Sequence, residues 1–169
     1  MPAAAIDVNS PALQKMRGDL TSAWKLRLWM FKTLPLAFVA GLRVTEINAD
    51  RCTVTVPYGW RTQNPFRSTY FAALSMAAEM ATGALALTLV RAAPQPVSML
   101  ITGLSAEFVK KATDTVAFTC DAGPTLREAV QTALETGDGL TRTVEAVGRL
   151  PSGEIAARFT FTWSFKRKG

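Results

Sequence analysis

Between Arg67 and Arg91 the chain runs for twenty-three residues with a single charge, that of Glu79. No basic residue lies within four positions of it, so burial without a partner raises its pKa toward the range of a base or nucleophile. Other residue types narrow the chemistry. The sequence contains no histidine, which removes any Ser-His-Asp or Cys-His pair, any His-ligated zinc and any His general base. Cys52 and Cys120 are far apart and fit no metal-ligand spacing. Each sits in an alternating apolar run, the usual setting of a reduced, buried thiol. What remains is carboxylate chemistry at Glu79, the alternative being a solvated glutamate or one ion-paired to a tertiary partner, with no metal expected.

The segment Ser68 to Val90 reads as a long helix with two unlike faces. Phe71, Leu74, Ala78, Ala81, Leu85 and Leu89 form a bulky stripe. The Glu79 side carries Ala72, Ser75, Met76, Thr82, Gly83 and Ala86, mostly small residues that leave room for a second backbone or a ligand beside the carboxylate. Length and apolarity alone would also suit a membrane span. A carboxylate at the midpoint is costly in lipid, and alternating strands on both sides describe a water-soluble sheet, so the expectation is a helix buried inside the protein.

The flanking elements follow from their periodicities. Ser10 and Pro11 are an N-cap and first helical residue, and Pro35 marks the far end of one amphipathic, basic helix. Its apolar stripe is Leu13, Met16, Leu20, Trp24, Leu28 and Phe31. Such a helix packs on the domain, with a membrane-surface or lid role as the alternative. From Leu36 the period changes to two. Leu42 and Val44, then Val54 and Val56, predict two strands joined at Asn48 to Asp50. Four more strands are predicted at Met99–Lys110, Thr115–Cys120, Leu140–Leu150 and Ile155–Lys166. A short helix at Pro124–Thr136 is closed by Gly137. In the last strand Ile155, Ala157, Phe159, Phe161, Trp163 and Phe165 line one face, as a half-buried antiparallel strand requires.

One domain of 169 residues, with a formal charge of +6, 49% hydrophobic residues and a mean hydropathy of +0.15, excludes a disordered chain or a disulfide scaffold. We divide it into an N-terminal helical extension, residues 1–35, and a core, residues 36–169. The extension carries a charge of +3 and residues 155–169 a charge of +4, while the middle is close to neutral. That distribution argues against a nucleic-acid groove, which runs basic and aromatic residues through the fold. The first apolar stretch, Ala23 to Leu42, is interrupted by Lys25, Arg27 and Lys32, so no signal peptide is read and a cytoplasmic location is expected.

The order helix, two strands, long buried helix, four strands resembles the hot-dog fold, an α+β architecture in which a six-stranded antiparallel sheet wraps one central helix. Within it, Asn64-Pro-Phe-Arg-Ser-Thr-Tyr-Phe-Ala-Ala-Leu-Ser-Met-Ala-Ala-Glu79 is similar to the active-site motif of the phenylacetate-degradation-type (PaaI-like) acyl-CoA thioesterases. Their pattern is Asn or Gln, six residues later His-Gly-Gly, and an acid nine residues after the His. Those spacings fall on Asn64, Tyr70-Phe71-Ala72 and Glu79, with Tyr70 in place of the His and both glycines replaced. Phe108 to Ala112 is similar to the family's strand end of aromatic, aliphatic and basic residues. The chain looks most like the divergent branch catalogued as a domain of unknown function.

The resemblance implies thioester hydrolysis with coenzyme A entering only as part of the substrate. Glu79 would be base or nucleophile, the Phe71 N–H the oxyanion donor, and Asn64 the residue orienting water or substrate. Tyr70, Ala72, Thr82 and Gly83 would line the acyl site, and Arg67, Lys110 and Lys111 are candidates for the phosphates. Phe71 and Glu79 are eight residues apart, about 12 Å along one helix at 1.5 Å per residue, too far to act on one carbon. A homodimer with antiparallel central helices would bring them together, and pairing of dimers into tetramers stays open. The alternative is a non-catalytic hot-dog module that binds an acyl or lipid-like ligand, with Tyr70, Phe71 and Ala72 altering the pocket.

Overall fold

The computed structural model describes residues 5–169, and the first four residues of the predicted extension lie outside it. The chain forms helices α1 (Pro11–Thr21), α2 (Ala23–Thr33) and α3 (Pro35–Ala40) and strands β1 (Arg43–Ile47) and β2 (Cys52–Val56). The central helix α4 (Phe71–Ala92) is followed by β3 (Val97–Phe108), β4 (Val116–Cys120), α5 (Gly123–Thr136), β5 (Leu140–Arg149) and β6 (Ile155–Arg167). The six strands form one antiparallel sheet in the order β1-β2-β4-β5-β6-β3. Its inner face packs on α4, where Leu74, Ala77, Ala78, Ala81, Leu85 and Leu89 meet Val54, Phe118, Phe159 and Phe161 in one core. This is the α+β hot-dog arrangement, with helices added at the N-terminus.

The alternation in β6 is realised from Ala157 onward, whereas at the strand's start Ala156 is buried and Ile155 half-buried, the reverse of the expected faces. Ala157, Phe159, Phe161, Trp163 and Phe165 are buried, and Arg158, Thr160, Thr162 and Ser164 are half-buried on the other face. α5 covers another side of α4 through Leu126, Ala129, Val130 and Ala133. It starts at Gly123, where a Cβ would stand 2.2 Å from the Ala49 carbonyl oxygen, so glycine is what lets this helix begin against the β1–β2 turn. Cys52 and Cys120, distant in sequence, are register partners on β2 and β4, both free and fully buried. Burial pushes their thiols up, to about 12 and about 11.

The N-terminal extension differs from its expected form. The one helix expected from Ser10 to Pro35 is two, and a third follows from Pro35. The backbone turns extended at Ser22 (ψ 109°), whose N–H closes α1 on the Gly18 carbonyl while its own carbonyl accepts from Leu26. Pro35 opens α3 instead of ending helix, since a residue without an N–H is well placed at the first helical position. Leu36 to Ala40 is therefore helix, and the two-residue period begins only at β1. The break at Ser22 also shifts the register. Leu13 packs as expected, but in α2 it is Leu26 and Met30 that are buried, and Trp24, Leu28 and Phe31 face outward.

Candidate active site

The loop before α4 is organised by Asn64. Its side-chain oxygen accepts from the Phe66 N–H at 3.0 Å and from the Ser68 N–H and hydroxyl, both at 3.2 Å. Its backbone N–H donates to the Ser68 carbonyl at 2.8 Å. Arg67 lies in this turn in a left-handed conformation (φ 57°) with its side chain exposed, and it lines neither of the two cavities described below. Thr69 and Tyr70 then anchor the chain, their N–H groups donating at 2.7 Å to the carbonyls of Ala112 and Thr62. Tyr70 is the N-cap of α4, its carbonyl accepting from Ala73 and Leu74 and its side chain capping nothing. The N–H groups of Phe71 and Ala72 are thereby left at the helix start, where no intrahelical acceptor exists.

Around this end of α4 lies a cavity of about 450 Å³ lined by Asn64, Tyr70, Phe71, Phe108, Lys110 and Lys111, among others. The Tyr70 and Phe71 rings meet edge to face, 4.8 Å between centroids. Lys110 is tied to Glu154, whose carboxyl the Lys110 ammonium holds below its ordinary value. Lys111 is exposed and makes no ion pair among the described residues.

Glu79 opens on a different cavity of about 220 Å³. Its walls are apolar: Met80, Ala84 and Leu87 of α4, Val44, Met99, Trp163, and four residues of the N-terminal extension, Leu20, Leu26, Trp29 and Leu34. The carboxylate is half-buried and has no hydrogen-bond or ion-pair partner among the described residues, and burial raises its pKa above the ordinary carboxylate value. It lies over Gly83, one turn on, which also lines the cavity. A Cβ there would be 2.8 Å from Glu79 Oε1 and 3.2 Å from Trp163 Cζ2. Thr82 is fully buried. Its hydroxyl donates to the Glu79 carbonyl at 3.0 Å and accepts from the Trp163 indole N–H at 3.1 Å. On the same side of α4, Ala72, Ser75 and Met76 stay half-buried, while Ala86 is covered.

In one chain the expected site residues thus fall into two groups. Asn64, Tyr70, Phe71, Lys110 and Lys111 share one cavity, and Glu79 and Gly83 share the other. Ala72 and Arg67 line neither, and Thr82 serves the Trp163 hydrogen bond. Sequence reasoning missed the wall that the extension builds over Glu79, and it missed Trp163 as a neighbour of the carboxylate. The available signal for Trp163 was an indole N–H on an otherwise apolar strand face, which needs a partner when buried. Among the described residues no three His, Cys, Asp or Glu side chains gather as a metal-binding group.

A curled antiparallel sheet around one apolar helix, with an acid near that helix's middle, is the hot-dog fold. Within it the chain belongs to the family described as Domain of unknown function (DUF4442), whose model matches residues 23–165. Solved structures agree on the fold. A protein of unknown function, OLEI01261 from Chlorobaculum tepidum, is 16% identical with a TM-score of 0.72, covering 89% of this chain and 99% of its own. PA5026 from Pseudomonas aeruginosa, described as a probable thioesterase, is 18% identical with a TM-score of 0.71, covering 84% and 93%. The thioesterase HI1161 from Haemophilus influenzae is 12% identical with a TM-score of 0.63, covering 86% and 91%. No curated protein matches the chain.

Proposed function

We propose that the protein is an acyl-CoA thioesterase that uses Glu79 as its base or nucleophile at a site shared by two copies. The observation that carries this reading is the state of Glu79: a half-buried carboxylate without a cation, opening on an apolar cavity, its pKa raised by burial. Such a group is costly to retain unless it is used. The cavity beside it suits an acyl group, and a carboxyl raised above its usual range is a better base near neutral pH.

Two features support a shared site. Asn64 and the free N–H groups of Phe71 and Ala72 stand two turns of α4 from Glu79, beyond reach of one carbonyl carbon. β3 is a twelve-residue strand at the end of the sheet order, with one edge unpaired. Joining two such edges continues the sheet across a two-fold axis. In the assembled site, Glu79 of one copy takes a proton from water as it attacks the thioester carbonyl. The Phe71 N–H of the other copy receives the developing oxyanion, and collapse expels the coenzyme A thiolate. Lys111 is the better placed cation for its phosphates, because Lys110 is already paired with Glu154.

One observation favours a second reading, a module that binds an acyl ligand without turnover. The Asn64 side-chain oxygen is taken up by its own loop, which leaves only its amide N–H₂ to meet a substrate. Hydrolysis of a panel of short, long and aromatic acyl-CoAs, followed by released thiol, tests both. Turnover by the wild type that Glu79→Gln reduces by about 10²-fold or more supports the thioesterase. Acyl-CoA binding without turnover in either protein identifies the binding module.

A further inference from the structure

We propose that the outer face of α2 and α3, built on Trp24, Leu28, Phe31, Leu36 and Val39, docks on a bilayer surface that carries anionic phospholipid. All five side chains are more than half exposed, from 51% at Leu28 to 74% at Leu36. Scattered exposed leucines are ordinary, but five large apolar side chains on two consecutive short helices make a patch that water does not favour. The patch is held in shape. Phe38 of α3 lies 5.4 Å from the Phe31 ring, edge to face, and 4.5 Å under the Arg27 guanidinium, which fixes α3 against α2.

Charge selects the occupant. From Ser22 to Thr45 there is no acidic residue, while Lys25, Arg27, Lys32 and Arg43 are cationic. Lys25 is neutralised by Asp19 of α1, and among the described residues the other three have no carboxylate within ion-pair distance. A second copy meeting this face across a two-fold axis would set these cations against themselves, which opposes self-association. An anionic lipid surface complements them, and Trp, Leu and Phe side chains with flanking Lys and Arg are what an interfacial helix presents. The face also adjoins the Glu79 cavity, since Trp29 and Leu34, both 40% exposed, line that cavity.

Cosedimentation of the full chain with vesicles of phosphatidylcholine, with and without phosphatidylglycerol, tests the proposal independently of any hydrolysis. Vesicles containing phosphatidylglycerol should hold the protein about ten-fold more tightly than phosphatidylcholine alone, and added salt should weaken the binding. The triple variant Trp24→Ser, Leu28→Ser, Leu36→Ser should lose binding by about ten-fold or more, with an unchanged thermal midpoint because these side chains are outside the core. Lys32→Glu should weaken binding without touching the apolar patch. Failure to bind either vesicle, equal binding to both, or undiminished binding by the triple variant overturns the proposal. So does a drop in solution mass of the triple variant, which would make the face a contact between copies.

Discussion

Glu79 and Gly83 are a single structural unit: the carboxylate occupies the volume that a side chain at position 83 would need, with Oε1 2.8 Å from the site of an absent Cβ. The Trp163 ring bounds the same space from the sheet side, at 3.2 Å and 3.3 Å. Gly83→Ala therefore sets two effects against each other. Alanine gains about 1 kcal/mol in a helix interior. Against that, the overpacked methyl costs about 1–3 kcal/mol and moves the carboxylate. With Glu79 as the base proposed above, the expected outcome is a small change in unfolding free energy with thioester turnover down by about 10²-fold, the cost of misplacing a reacting group. Denaturant unfolding and thiol release on the same sample check it, and wild-type turnover in Gly83→Ala would dissociate the glycine from the carboxylate's placement.

Thr82→Val keeps the shape of the side chain and removes the acceptor for the Trp163 indole. The buried N–H is then unpaired, at a cost of about 1–3 kcal/mol. Thr82→Ser should recover most of that loss, because it keeps the hydroxyl. Midpoints of urea unfolding for the three proteins measure the difference, and equal midpoints for the valine and serine variants would show that the hydroxyl is not what matters.

The stability of the protein carries the signature of Glu79. Its pKa is raised in the folded state, so the folded chain holds this proton at pH values where the unfolded chain has lost it. The contribution is fully present below the ordinary carboxylate value and is lost as pH rises through the raised value. Glu79→Gln has no such proton to lose. Thermal midpoints of the two proteins should agree best at the acid end and separate toward neutral pH, with the glutamine variant the more stable. A constant gap across the pH range would contradict this assignment.

The two cysteines should be silent toward thiol reagents in the native protein. Burial holds Cys52 at about 12 and Cys120 at about 11, so neither is thiolate at neutral pH, and neither is reached by solvent. Reaction with an aromatic disulfide reagent should follow global unfolding, with both thiols appearing together. Above the ordinary thiol range the unfolded chain loses these protons first, so stability should also fall as pH rises from about 9 toward 11 and 12.

Much of the fold is legible in local patterns. The alternation in β6, the isolation of Glu79 in α4 and Gly137 after α5, in its left-handed conformation, all translate directly into observed elements. The N-terminal extension does not, because a 3.6-residue stripe running through Trp24, Leu28 and Phe31 is continuous on paper. One extended residue at Ser22 rotates α2 and hands its inner face to Leu26 and Met30. For the candidate site, composition and spacing single out Glu79 and the helix start at Phe71 as candidates. They do not show that Asn64 spends its carbonyl on its own loop, nor that Trp29 and Trp163 wall the carboxylate, since those contacts join segments far apart in sequence.

The sheet order has a consequence for biosynthesis. β6 is the last made of the six strands of this sheet, yet it sits between β5 and β3 and covers α4 with the side chains of Phe159, Phe161 and Trp163. While residues 93 to 167 are being translated, α4 is a finished apolar helix without its final cover. It is 22 residues long, and by length and composition it is apolar enough to cross a membrane. To an insertion machinery that reads segments as they leave the ribosome, the nascent chain offers a span, and the charge at its midpoint is what makes insertion unfavourable. A carboxylate at that position favours water over lipid for α4 until β6 covers it.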